Sequence, residues 1–179
     1  MAVNRVLLHI CCGPCATAVH GYWCEEGADV VGFFHNPNIH PLMEYRRRLE
    51  GVRELAGRVE LSLVEDLGYD PEAWFAQVAS VAGSRCASCI GIRLERAAQE
   101  AVSQQCEAFS TTLSISPWQD HEAIRAAGTE AAARHDVEFL YRDLRPLYQQ
   151  SRRLSREWGL YRQKYCGCLV SEWERYRDS

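Results

Sequence analysis

Short runs of branched apolar residues alternate along this chain with longer stretches of helical periodicity. That alternation limits the folds open to it more than any other feature. Residues 5–10, 30–35, 59–64, 108–113 and 137–141 read as strands, the first bearing the run Val6-Leu7-Leu8. Between them, residues 15–27 read as a helix ended by glycine. Residues 41–58 read as a second, with Leu49, Val52, Leu55 and Ala56 on one stripe. Asp70 and Pro71 form an N-cap and first-turn pair for a helix through residue 82. Ile90, Leu94, Ala97, Ala98, Ala101 and Val102 mark a further helical face. Ser116 with Gln119 forms a capping box with Pro117 at the first helical position, predicting a helix to about residue 135. The remainder, 146–179, is expected to be helical and rich in arginine.

Strands separated by helices pair in parallel through right-handed crossovers. The expectation is a single α/β domain over 1–179, with a mostly parallel central sheet of about five strands and helices on both faces, Rossmann-like or HUP-like. Ligands of such sheets bind outside the carboxyl ends of the strands. Cys11 follows the first strand there and Asn36 the second.

A formal net charge of −4 over 179 residues excludes a uniformly basic nucleic-acid binder, so a polyanion would have to meet a local patch. The opening apolar run is too short for a signal sequence, and no stretch has membrane-spanning length. A cytoplasmic location is expected, where thiols stay reduced. The nine cysteines therefore matter. Their odd number forbids complete pairing within the chain, and grouped thiols in a reducing compartment favour metal binding or redox chemistry.

The groups are Cys11-Cys12-Gly13-Pro14-Cys15, Cys86 with Cys89, and Cys166-Gly167-Cys168. The first lies at a strand-to-helix turn, where free N–H groups and the helix dipole favour thiolate. One helical turn brings Cys86 and Cys89 to one side. Gly167 allows the bend that lets Cys166 and Cys168 face one site. Cys24 and Cys106 stand apart and read as ordinary buried cysteines. Two ligands of the first group with Cys86 and Cys89 would satisfy zinc or a four-cysteine iron–sulfur cluster, and spacing does not separate them. Surplus thiols favour redox chemistry. Cys12 and Cys15 also spell a thioredoxin-type motif, and a thiol–disulfide exchanger or a zinc-stabilised RNA-binding module stand as alternatives. A nucleotide-activating enzyme is disfavoured, because cysteines occupy the loop where a phosphate cradle would lie.

Arg46, Arg47, Arg48 and Arg53 make one basic strip. Arg152, Arg153, Arg156, Arg162 and Lys164 make another, interleaved by Trp158, Tyr161 and Tyr165. Arginines for phosphates and aromatics for unpaired bases suit an RNA loop, and a solvated, ion-paired helix face is the alternative.

Several fragments in this order resemble the QueH-type epoxyqueuosine reductase family. They are His9-x-Cys11-Cys12-x-Pro14-Cys15, Asn36-Pro37-Asn38-Ile39 with Pro41, Glu44-Tyr45 and Arg48, then Cys86-x-x-Cys89 with Arg93-Leu94. Thr111-Thr112-Leu113, Ser116-Pro117, Gln119, Asp143, Arg145-Pro146 and 159–168, ending Tyr165-Cys166-Gly167-Cys168, complete the series. Gly13 departs, standing where alanine is common in the family. The resemblance implies reduction of epoxyqueuosine to queuosine at the tRNA wobble position, with an electron donor it does not identify. It further implies a 4Fe–4S cluster on Cys11, Cys12, Cys86 and Cys89, and a redox pair of Cys166 and Cys168. Cys15 is then available for a second, mononuclear iron, which could act as a Lewis acid on the epoxide oxygen. Glu44, Tyr45 or His9 could deliver a proton. For His9 the alternative is a hydrogen-bonded core residue. RNA contact falls to Arg46, Arg48, Arg152, Arg153, Arg156, Arg162 and Lys164.

Overall fold

A computed structural model describes residues 4–80 and 84–178. Its sheet carries β1 (Arg5–His9), β2 (Asp29–Phe34), β3 (Ser62–Glu65), β4 (Ala108–Thr111) and β5 (Glu138–Phe139), in spatial order β3-β2-β1-β4-β5. Every pairing is parallel, with Leu7 opposite Val31 on one side and Phe109 on the other.

Alternation along the strands sends side chains to two faces. Leu8, Val30 and Phe34 meet α1 (Gly13–Glu25), α2 (Leu42–Val59) and α6 (Tyr148–Glu157) on one face. Leu7, Val31, Phe33 and Phe109 meet α4 (Arg85–Ser103) and α5 (His121–His135) on the other. Leu7, Leu8, Phe33, Phe34 and Phe109 are completely buried, each contributing about 1.5–3 kcal/mol of transfer free energy. The short helices α3 (Pro71–Ser80) and α7 (Leu169–Tyr176) complete the chain.

Several boundaries differ from the sequence expectation, each for a local reason. The strand read over 59–64 begins at Ser62, because Glu60 takes a left-handed conformation that caps α2 and Leu61 bonds back to the Ala56 carbonyl. β4 stops at Thr111, whose hydroxyl accepts from Leu113 N and opens a 3-10 turn over Thr112–Ile115. The fifth strand, expected over 137–141, is reduced to Glu138–Phe139, since β4, the strand it pairs with, ends at Thr111 and turns away. The capping-box expectation at Ser116 does not hold: Asp120 caps α5 by accepting from Ala123 N, and Ser116-Pro117-Trp118 forms a turn. Val102 is half exposed, one position off the buried stripe of α4. The helix expected through residue 82 is described to Ser80, and 81 and 82 lie outside the described residues.

The segment 146–179 is not one helix. α6 ends where Gly159 adopts φ +68° and Leu160 N returns to the Ser155 carbonyl, burying Leu160 in the core. Residues 158–168 then run irregularly across the carboxyl end of the sheet to α7. No helix among the described residues is long and apolar enough to cross a membrane.

Candidate thiol centre

The chain builds β1, β2 and β3 in one direction and then places β4 on the other side of β1. The crevice of such a sheet opens at that reversal, between the carboxyl ends of β1 and β4. Here Cys11 follows β1 and Thr112 follows β4, and they meet. Cys11 N donates to Thr112 Oγ1 at 3.0 Å, and that hydroxyl donates to Cys11 Sγ at 3.2 Å.

Cys12 is the N-cap of α1 and Cys15 lies in its first turn, with Pro14 between them. This turn folds the sulfurs of Cys11, Cys12 and Cys15 to within 4.8 Å of one another. Cys11 and Cys12 Sγ are 3.8 Å apart. Hydrogen bonding shared with Cys12 and Cys15, followed by that of the Thr112 hydroxyl, holds the Cys11 pKa well below the usual thiol range. The same sharing pushes Cys12 and Cys15 upward. Cys12 is completely buried and accepts from Gln163 Nε2 at 2.8 Å. A thioredoxin-type exchange at Cys12 and Cys15 would require a large disulfide partner to reach that buried sulfur, which disfavours it.

The third group docks over the first through α2. Arg48 donates to the carbonyls of Cys166 at 2.6 Å and Tyr165 at 3.1 Å. Its Nε donates to Glu44 at 2.8 Å, and the other Glu44 oxygen accepts from Tyr161 at 2.6 Å. His40 N donates to the Gly167 carbonyl, while Tyr165 OH donates to the His40 carbonyl. Gly167 is required by contact: a Cβ there would lie 2.8 Å from Asn38 Nδ2. The loop so fixed exposes Cys166, whose sulfur accepts from Gln119 Nε2 at 3.3 Å, and buries Cys168 beside Cys89 and Trp74.

The second group lies on the first turns of α4, with Cys86 exposed and Cys89 buried. Burial, above all, raises the Cys89 thiol, with further contributions from Cys166, Cys168 and Cys86. Arg93, one turn on, is 2 % exposed and donates to the Cys89 carbonyl at 3.2 Å. Its charge acts on Cys89, Cys166 and Cys11, a sulfur from each group. No carboxylate lies within ion-pair distance of Arg93 among the described residues. A buried cation without an anion is costly, so this one calls for negative charge on the sulfurs around it.

Four residues read from sequence as chemical groups have other work. Arg48 is 2 % exposed and bonded inside the protein, so it is no phosphate contact; helical spacing could not show that α2 turns it inward. Both Glu44 oxygens accept hydrogen bonds inside the protein, from Arg48 and Tyr161, which commits its side chain to tying α2 to the loop over 158–168. Tyr45 is 4 % exposed and donates to the Asp66 carbonyl at 3.3 Å, committing its hydroxyl away from the cysteine groups. His9 is completely buried. One ring nitrogen meets Thr111 Oγ1 at 2.9 Å and the other the His35 carbonyl at 3.1 Å; burial, then Arg93, lowers its pKa to about 3. It is a neutral core residue. Arg46, Arg153, Arg156, Arg162 and Lys164 are exposed and Arg152 partly so. Sequence reasoning placed Arg93, Gln119 and Gln163 in family fragments but gave them no role in the site, because no spacing rule singles out one arginine or two amides.

An all-parallel sheet with thiols converging at its switch point defines an α/β protein of the sulfur-ligand or thiol-redox class. The family model described as Epoxyqueuosine reductase QueH matches residues 6–174, and the chain belongs to that family. A relative from Dehalococcoides mccartyi named Epoxyqueuosine reductase QueH is 38% identical over 172 residues, 96% of this chain and 94% of that protein. One of the same name from Thermotoga maritima is 38% identical over 185 residues, covering 97% and 93%. Among solved structures, the U34-tRNA thiolase NcsA from Methanococcus maripaludis with its 4Fe–4S cluster aligns with a TM-score of 0.59 at 13% identity. The alignment covers 96% of this chain and 62% of that one, a likeness of fold.

Proposed function

We propose that this protein reduces epoxyqueuosine to queuosine in tRNA, in the cytosol, acting as one α/β domain over 1–179. The observation that carries the reading is the sulfur triad of Cys11, Cys12 and Cys15, drawn to within 4.8 Å of one another at the switch point of the sheet. Family membership supplies the substrate.

The residues present suit an iron–sulfur centre. The grouped donors are all sulfur, which selects soft metals and clusters over magnesium or calcium. Buried polar atoms without partners, Asn36 Oδ1, Asn38 Oδ1 and Gln163 Oε1, come from the loops that carry and cover these cysteines. We assign Cys11, Cys12, Cys86 and Cys89 as ligands of a 4Fe–4S centre, and Cys15, in the same triad as Cys11 and Cys12, as ligand to an adjacent iron. Such a centre supplies single electrons when bound.

Removing the epoxide oxygen as water leaves an alkene and consumes two electrons and two protons. Oxidation of the Cys166 and Cys168 thiols to a disulfide releases two of each, which balances the step. An external reductant then restores the dithiol. Cys166 is the exposed member and meets substrate. Gln119 holds its sulfur, and Arg48 holds its backbone. The exposed Arg46, Arg153, Arg156, Arg162 and Lys164, with the partly exposed Arg152, neutralise tRNA phosphates.

The test is anaerobic purification with metal counting, followed by assay on epoxyqueuosine-bearing tRNA. Iron with broad visible absorption and formation of queuosine are expected. A colourless zinc protein that binds tRNA and produces no queuosine would replace this reading with the RNA-binding module.

A further inference from the structure

The aromatic residues that alternate with arginines near the carboxyl terminus are engaged inside the protein. Tyr161 donates to Glu44 and Tyr165 to the His40 carbonyl, with Arg47 and Arg48 over their faces. Arg58 covers the ring of Trp158. Of the exposed tryptophans, Trp173 lies under Arg177. Trp118 differs from all of these. It is 74% exposed. Its ring meets Tyr148 edge-on, with centroids 5.1 Å apart and planes at 81°. Among the described residues no cation lies over its face.

Tryptophan is on average highly buried, so an indole held in water in a fixed loop is informative. The loop is indeed fixed. Trp118 N donates to Ser116 Oγ, and the His121 ring bonds the Ser116 carbonyl at 2.9 Å. Two neighbours identify the partner. Gln119, next in the chain, donates to the sulfur of Cys166. On the other side Arg152 lies 5.8 Å from the centroid of the Tyr148 ring, and no carboxylate stands within ion-pair distance of it among the described residues. An exposed indole, a second aromatic ring packed against it at a steep angle and a cation without a counter-ion among the described residues are thus joined through Tyr148, and Gln119 ties the indole's loop to the exposed thiol. A hydrophobic peptide would use the indole and leave the cation idle; a nucleotide uses both, its base on the ring and its phosphate at the guanidinium.

We infer that Trp118, backed by Tyr148 and flanked by Arg152, is the stacking platform for an unpaired RNA base adjacent to the nucleotide presented to Cys166. This rests on the tRNA-reductase reading and adds the feature that selects a loop with splayed bases over a duplex.

The test uses the full-length protein, purified anaerobically, and a fluorescein-labelled anticodon stem-loop titrated at three salt concentrations. Trp118→Ala should weaken binding roughly tenfold and Trp118→Phe less than about threefold, because every aromatic ring offers a face. The salt dependence should be unchanged in Trp118→Ala and shallower by about one unit in Arg152→Ala. An abasic residue flanking the wobble position should cost the native protein the same factor and cost Trp118→Ala nothing further. Unaltered affinity in Trp118→Ala, or losses that simply multiply, overturns the platform and leaves the reductase standing. A native dimer that Trp118→Ala dissolves also overturns it. A native protein that binds no stem-loop overturns the platform and the tRNA reading together.

Discussion

The guanidinium of Arg48 donates to the carbonyl of Cys166 at 2.6 Å, across 118 residues of chain. The same group pairs with Glu44 and reaches the Tyr165 carbonyl. One planar fork thus ties the loop bearing Cys166 and Cys168 to α2. A lysine keeps the charge and loses the fork. Arg48→Lys should speed amide exchange at residues 165–168 and alkylation of Cys166, with exchange elsewhere unaltered. Arg48→Met leaves Glu44 buried without its cation and should cost about 3–5 kcal/mol in denaturant unfolding; adding Glu44→Gln should recover part of it.

Arg93 should matter through its charge. Arg93→Met leaves the sulfurs of three groups without their buried cation. Reduction adds negative charge to an iron–sulfur centre, so the variant should show a midpoint potential tens of millivolts lower by redox titration, or lower iron content. Arg93→Lys should restore part of the potential. An unchanged potential with full iron would remove Arg93 from the site.

The cysteines should sort into two sets by iron analysis. Cys11→Ser and Cys89→Ser should each lose most of the iron. Cys24→Ser and Cys106→Ser should keep it: Cys24 is exposed on the last turn of α1 beside His20, and Cys106 is packed into the core between α4 and β4. Cys15→Ala tests the proposed second iron: an iron-to-protein ratio below the native one, with visible absorption retained, is expected, and an unchanged ratio would remove Cys15 from that role.

Gly13 should resist substitution by alanine. A Cβ there would fall 2.4 Å from the backbone oxygen of Gly51, where α1 crosses α2. The clash should cost about 1–3 kcal/mol, outweighing a helix-propensity gain of about 1 kcal/mol. Urea unfolding of Gly13→Ala measures the difference.

His35 should make stability fall with acid. Burial lowers its pKa from 6.5 to about 4, against the partial support of Asp66 at 3.2 Å. Between those values the unfolded chain binds a proton that the folded chain does not, so stability rises with pH across the window. The loss on acidification from pH 6.5 to 4 should reach up to about 1.4 kcal/mol per unit. Compared by urea unfolding, His35→Asn should show a flatter profile than the native protein.

The order of elements and the position of Cys11 and Cys12 after β1 were legible in the sequence. A buried strand must be locally apolar, a helix must repeat its apolar face every three to four residues, and both patterns are short-range. Grouping of the thiols was legible for the same reason, since residues one to three apart stay together in any fold. The family fragments carried the substrate class. Which polar side chains are buried was decided only by the tertiary structure. Arg48 and Arg46 sit in one basic run, yet one is sealed under Tyr165 and Cys166 while the other faces water. Glu44 is bound by a tyrosine 117 residues away, and Arg93 feels the charge of the distant Cys11 and Cys166 as well as that of Cys89 one turn before it. Trp118, read as part of a helix start, is left in the open because Asp120 takes the cap. Burial of a charge or exposure of a ring depends on partners that approach only when the sheet closes. No local period records them.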